Sequence, residues 1–365
     1  MSRWNYFLYR LLLSIPVLFL VITFLFIMLR LGPLDPVAAR LGPDAVGADA
    51  AAMRARLGLD EPLWTQYIQF ATDLLLFQGQ SWVVQADRSV ISVIRTTAPP
   101  TLWLGFWAVL LPLFIGLPLG FYAGLRSNTW GDYVASFGGI LWLAMPNFWL
   151  AVMALAFLRR SRGSDLLDWY SLGPTLRSIT GTPDLGFFSI GEVLGVPFIV
   201  GIDWMLLAQD IKLILPPAII LGSASMATEL RIGRTAILET INSNYVETAR
   251  AKGLPSRVIV WKHVFRNALI PLVPVITNEA FLLIGGAVII EVIFNINGLG
   301  RVYFQAIIQG DLPLAGALLF IFTLLIILLN ILNMPPLEAL GLAAAFMLYL
   351  NSSKKNRPRD KVLSS

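Results

Sequence analysis

The sequence predicts an all-α membrane protein with about six transmembrane helices and both termini in the cytoplasm. Three observations lead there. Of 365 residues, 57% are hydrophobic and 13% charged, with a mean hydropathy of +0.73, whereas soluble domains run at about 25% charged. Uncharged apolar runs approaching the roughly 20 residues that cross a bilayer recur along the chain. Between two of them, from Glu229 to Arg266, a polar island carries seven Lys/Arg against three Glu, and cations beside span ends mark the cytoplasmic face. An even number of spans returns both ends to that face.

Composition also excludes several function classes. With no Cys there is no disulfide, thiolate metal site or Cys nucleophile, and a single histidine, His263, provides no imidazole pair for a metal or a triad. The net charge of +5 comes from basic residues that flank apolar spans, where lipid head groups and topology account for them. Membrane lipids are therefore expected partners and nucleic acid is not.

In chain order, Arg3 and Arg10 sit in a cytoplasmic N-terminus (1–10) ahead of a 19-residue uncharged run, 11–29, the first span. The run exceeds the apolar region of a signal peptide, about 7–15 residues, and no small-residue cleavage site follows. Residues 30–100 form an outer, periplasmic segment whose Gly-Pro and Asp-Pro pairs read as turns. The membrane core is expected over 101–332. Span two, Thr101–Leu125, carries Gly116-x-Pro-x-Gly120-x-x-x-Gly124. Glycines four apart suit close helix packing, and a bend lining a pore is the alternative. Span three, Tyr133–Leu158, contains Pro146 in its outer half. The apolar stretch Phe187–Leu207 mimics a span, but Glu192 and Asp203 interrupt it, which favours an outer or interfacial segment within 161–212. Span four, Leu213–Thr228, has only 16 uncharged residues and must stay upright or borrow flanking turns.

The cytoplasmic loop 229–267 follows. Tyr245 to Lys252 has no Gly or Pro and reads as a short helix. Asn244 is expected to cap it, with Glu247 reaching back, while Gly253 supplies a left-handed stop and Pro255 forbids continuation. A helix of two to three turns is marginal alone and needs a partner.

These residues carry a resemblance. Glu247-Thr248-Ala249-x-x-x-Gly253 is similar to the E-A-A-x-x-x-G signature of the membrane subunits of bacterial ABC importers. Tyr245-Val-x-Thr-Ala-Arg-Ala-Lys-Gly-Leu254, followed by Lys262-His-Val-Phe-Arg-Asn-Ala268, resembles the first permease subunit of the dipeptide/oligopeptide/nickel group. Where the general signature continues with I-x-L-P, this chain has His263-Val-Phe-Arg266. The resemblance, over about Tyr6 to Leu332, implies a type I importer-like permease, multi-pass in a bacterial inner membrane. It implies a coupling helix of Tyr245, Glu247, Thr248, Ala249, Arg250, Ala251, Lys252, Gly253 and Leu254, supported by Arg231, Arg234, His263 and Asn267. Implied partners are a second homologous permease, two cytosolic ABC ATPases that bind the ATP and Mg, and an extracytoplasmic substrate-binding protein. This chain itself needs no cofactor, and without a G-x-x-x-x-G-K-[ST] loop it is no ATPase of that kind.

Beyond the island, span five, Ala268–Ile290, places Glu279 at mid-membrane. A charge there costs about 2.5–3.5 kcal/mol or more and is a functional-site hypothesis by default. It lines the route and meets a cationic group, or it is a structural carboxylate; both readings stand. Glu291-Val-Ile-Phe-Asn-Ile-Asn-Gly298-Leu-Gly300 resembles the family's E-x-x-F-x-x-P-G-L-G segment near the outer exit, with Asn297 in place of the Pro, and a tight turn is its plain reading. Span six, Leu312–Leu332, precedes an atypical tail, 333–365, either an interfacial helix or a lineage-specific extension. Two rival functions are a secondary transporter, which calls for more mid-membrane charges and inverted repeats, and a non-transporting scaffold.

Overall fold

The computed structural model describes residues 3–30, 36–42, 47–193, 196–270, 272 and 287–332. Glu279, most of span five, the turn at 32–35 and the tail 333–365 lie outside the described residues.

Helices dominate. Helix α1 (Arg3–Arg30) is the first apolar helix. Short helices α2 (Pro36–Leu41), α3 (Ala48–Arg56) and α4 (Leu63–Leu76) follow. Helix α5 (Val90–Leu111) starts well before the expected Thr101, capped by the Ser89 hydroxyl, and runs on as one 36-residue apolar rod through α6 (Leu117–Leu125). The join is a π turn, Pro112–Gly116, in which the Leu117 N–H reaches the Pro112 carbonyl. Pro112 has no N–H and crowds the preceding turn, so the helix widens by one residue instead of breaking.

Expected span three is not one straight helix. It is α7 (Trp130–Leu143) and α8 (Asn147–Arg160), bent by 94° around Pro146. The proline disfavours the α conformation at Met145 and cannot donate to the ladder, which is why the rod breaks there. The apolar stretch after it, expected to mimic a span without being one, folds largely as a hairpin. Strands β1 (Phe188–Val193) and β2 (Val196–Ile202) pair antiparallel, Phe188 opposite Ile202 and Val193 opposite Val196. Among the described residues the chain is thus mostly helical with one hairpin, a small departure from an all-α expectation.

Helix α9 (Trp204–Ile241) has 38 residues and passes straight through Pro216 and Pro217. At 1.5 Å per residue it is about 57 Å long, so the short span four borrows turns at both ends. Asp203 caps it by accepting from the Met205 and Leu206 N–H groups. Then come α10 (Asn244–Ala251), α11 (Ser256–Val258), a π segment (Ile259–Phe265) and α12 (Arg266–Ala268). Helix α13 (Ala287–Phe294) meets α14 (Leu299–Ile308) at 89°, and α15 (Leu312–Leu332) closes the described chain.

The glycines of α5–α6 explain why this rod and α9 run side by side. A Cβ on Gly120 would drive into the Leu230 carbonyl, one on Gly124 would lie 2.8 Å from Ile237 Cβ, and one on Gly116 would lie 2.8 Å from the Met226 carbonyl. In return, Gly222 of α9 receives the Ala108 carbonyl. The two backbones touch, as small-residue seams in membranes allow. Around this axis sit three apolar clusters: one around Leu104, Ile214 and Phe294, one around Val93, Leu318 and Phe320, and one around Phe121, Ile237 and Val264. The third cluster seats the polar island.

Candidate functional site

The expected coupling helix forms, with a shifted start. Ser243, extended at φ −79°, ψ 149°, is the N-cap, and Asn244 is the first helical residue. Asn244 and Glu247 therefore do not build the expected capping box. The Ser243 hydroxyl instead donates to the Thr240 carbonyl (2.6 Å), bonding back to α9 and tightening the corner. The stop is as expected. Gly253 sits at φ +73°, its N–H donates to the Arg250 carbonyl, and the Leu254 N–H donates to the Ala249 carbonyl. Those two bonds are a Schellman closure, which needs the left-handed residue that glycine provides without strain.

Helix α10 has two sides. Val246 and Ala249 are buried and pack with Ile237, Ile259, Val264 and Ala268. Residues 250–258 are exposed without interruption, together with Tyr245, Glu247 and Thr248. Of the nine predicted coupling residues, Ala249 belongs to the foundation and the other eight to the free surface. That surface presents Arg250 and Lys252 beside apolar Tyr245, Leu254, Val258 and Trp261, the last 62% exposed. A helix of two turns is marginal alone; α10 is held by its packing on the third apolar cluster through Val246 and Ala249.

The supporting residues divide. Arg234 makes a bidentate pair with Asp132 of α7, Nε to Oδ1 at 2.6 Å and Nη2 to Oδ2 at 2.8 Å, while the Asn128 N–H also donates to that carboxylate. Asp132 is 2% exposed, and paired, hydrogen-bonded charges are the kind a protein can bury. The pair fastens the first turn of α7 to α9 within the island, ahead of α10. Arg231 is exposed and lines, with Asp132 and Arg234, a cleft of about 340 Å³ between α7 and α9. His263 and Asn267 stay within the π segment and its exit, where Asn267 Nδ2 donates to the His263 carbonyl (2.8 Å). Phe265 packs edge-on against Phe121 of α6, ring centroids 5.0 Å apart, tying that segment to the seam.

At the other end of the bundle, Glu291 is fully buried. It accepts from the Thr101 hydroxyl (2.7 Å) and the Arg301 N–H (2.8 Å), and Thr101 accepts from the Leu299 N–H (2.8 Å). Gly298 and Gly300 leave the room: a Cβ on Gly298 would strike Thr101 and Glu291, and one on Gly300 would lie 2.7 Å from Val288 Cα. Glu291, Gly298 and Gly300 thus form one locked corner with α5.

Three buried groups were not anticipated. Lys212 of α9, 6% exposed, donates to the carbonyls of Tyr170 (3.2 Å), Leu172 (2.5 Å) and Pro174 (2.7 Å). Asp210 accepts from the Asp184 N–H (2.9 Å). Asp311 accepts from the Ser81 hydroxyl (2.5 Å) and the N–H groups of Trp82, Val83 and Val84. Only Asp311, just ahead of an apolar run, carried a sequence signal, that of an N-cap. Among the described residues no cluster of three or more His, Cys, Asp or Glu is arranged for a metal ion.

Comparison with known proteins fits this architecture. Residues 116–334 match the family "binding-protein-dependent transport system inner membrane component", and residues 3–93 match its N-terminal companion. The chain is 31% identical over 323 residues to the dipeptide transport system permease protein DppB of Alkalihalophilus pseudofirmus, covering 88% of this chain and 93% of that one. It is 28% identical to the oligopeptide permease AppB of Bacillus subtilis (89% and 94% covered). It is 30% identical to the glutathione permease GsiC of Salmonella choleraesuis (90% and 94% covered). A chain with this coverage, this glycine seam and this polar island belongs to the binding-protein-dependent inner-membrane components, the permease subunits of ABC importers of the peptide/nickel group.

Proposed function

We propose that this chain is half of the translocation path of a type I, ATP-driven importer for short peptides, spanning the inner membrane about six times with both termini in the cytoplasm. A second permease completes the path, an extracytoplasmic binding protein delivers the peptide, and two cytosolic ATPases bind ATP and Mg. The ATPases grip 244–254, and the Asp132–Arg234 pair together with the α6–α9 seam carries their closure into the membrane. Glu279 is a candidate lining group that meets the peptide ammonium, and the Glu291–Gly298–Gly300 corner braces the outer mouth. Peptides are favoured over other solutes by the substrates that the relatives' names give, dipeptide, oligopeptide and glutathione.

The observation that carries the reading is the Schellman-stopped α10, seated on a buried base and followed by an unbroken exposed run, 250–258. Gly253→Val tests it. A Cβ there meets no atom within 4 Å, so the packing survives while the positive φ, costly by about 1–2 kcal/mol for an L side chain, tilts the exposed run. In proteoliposomes holding the whole complex, ATP-driven uptake is expected to fall about tenfold or more with the complex still assembled. Unchanged uptake contradicts the reading. Uptake driven by a proton gradient without ATP would establish the secondary-transporter alternative.

A further inference from the structure

A cavity of about 420 Å³ lies between the end of α1, α3, α4 and the start of α15. It is at the end of the bundle away from α10, which the proposed topology places outside. Ligand sites commonly fall in the range of about 300–1,000 Å³, so the space suits a small molecule. Its walls are aromatic: Phe26, Phe70, Phe77 and Trp82, with the Phe26 and Phe70 rings 5.7 Å apart. Asp73 lines it as well, and among the described residues no hydrogen bond or ion pair reaches that carboxyl. Burial holds it above the usual carboxylate range, the sign of an anion lacking a partner.

Neither cation of the lining pairs with Asp73: Arg30 is held by two neutral acceptors of the same wall, and Arg56 by a carboxylate outside the lining. Arg30 donates to Gln66 Oε1 (2.7 Å) and the Leu59 carbonyl (3.1 Å), and Arg56 pairs with Asp87 at 3.3 Å. Phe77 closes α4 as its left-handed C-cap, φ 53°, ψ 37°, with its N–H on the Asp73 carbonyl, which sets this aromatic wall one turn from Asp73. A carboxylate with no hydrogen bond, set among aromatic faces with a second carboxylate, Glu61, at the rim, is the chemistry that receives an ammonium, by charge-assisted hydrogen bonding and by attraction to the ring faces. Arg56 and Glu61 at the rim are exposed, so the cavity is reachable.

We propose that this cavity binds a primary ammonium carried on a small apolar body, with Asp73 as counter-ion and Phe26, Phe70, Phe77 and Trp82 as walls. Two molecules supply that chemistry, the free amino terminus of a short peptide and the ethanolamine head group of a phospholipid. The site stands apart from the ATPase grip and needs only the sidedness of the proposed topology.

The test uses the full-length chain in nanodiscs. In phosphatidylglycerol alone, leucyl-leucine binding is measured on the unaltered chain and on Asp73→Asn. In discs that add phosphatidylethanolamine, the lipid retained by each is counted by native mass spectrometry. Asp73→Asn is expected to weaken peptide binding or lipid retention about tenfold or more, since a hydrogen bond to a charged group is worth at least about that factor. Loss of peptide binding identifies the soluble source and loss of lipid identifies the membrane source. N-acetylating whichever ligand binds should weaken it equally on the unaltered chain, and Phe70→Leu, which thins one wall, should weaken it a few-fold if Asp73→Asn does not fold. Indifference of both ligands to Asp73→Asn, or equal binding of the acetylated form, overturns the proposal without touching the coupling reading, which is decided at Gly253.

Discussion

Lys212 shows how much one side chain can organise. Its ammonium, buried beside α8 and α9, gathers three carbonyls of the loop after α8, so the loop is strung from a single cation. Asp168 steadies the same loop: bonds from the N–H groups of Gly163 and Tyr170 hold its carboxyl below the usual range. Lys212→Met keeps most of the apolar stem and strands the carbonyls, a cost of about 1–3 kcal/mol. The expected outcome is faster hydrogen exchange and proteolysis across 161–187 while the glycine seam stays protected; equal protection of the loop contradicts the role. Sequence could not reveal this. The bonds join residues 38–42 apart in sequence, and those of Asp311 to Ser81 join residues 230 apart, whereas the Gly253 stop is written in neighbouring residues and was legible.

At the scale of elements, what counts is which helices share backbone contact. The α5–α6 rod and α9 lie so close that Gly120 has no room for a methyl group. Gly120→Leu forces overpacking worth about 1–3 kcal/mol or more, and the expected result is loss of monodisperse complex in detergent. Gly138 meets nothing within 4 Å, so Gly138→Ala should be silent, and equal damage from both would undo the seam argument. The G-x-x-x-G spacing made this seam readable, though not its partner. The break at Pro146 and the hairpin were less legible: a hydropathy run reports apolarity, and only the local rule at the proline reports direction. The Asp132–Arg234 pair joins α7 to α9 across 102 residues. Exchanging the two charges, Asp132→Arg with Arg234→Asp, should restore part of the uptake that either single change removes, and no recovery would show that the bond does not couple these helices.

For the whole molecule, the proposed function makes the apolar axis, the braced far corner and the seated α10 one mechanical path from a cytoplasmic surface into the membrane. Its central claim is where α10 sits and what it touches. The chain contains no cysteine, so Ala251→Cys places a single thiol on that surface. In the assembled complex, with a second single cysteine introduced in the ATPase surface that the account places against it, and a mild oxidant such as copper phenanthroline to take the two electrons, ATP turnover is expected to modulate the disulfide formed between the two thiols, the cross-link should stop uptake, and reductant should restore it. Labelling of that thiol in intact cells by a membrane-impermeant reagent, with no cross-link to an ATPase, would contradict the account.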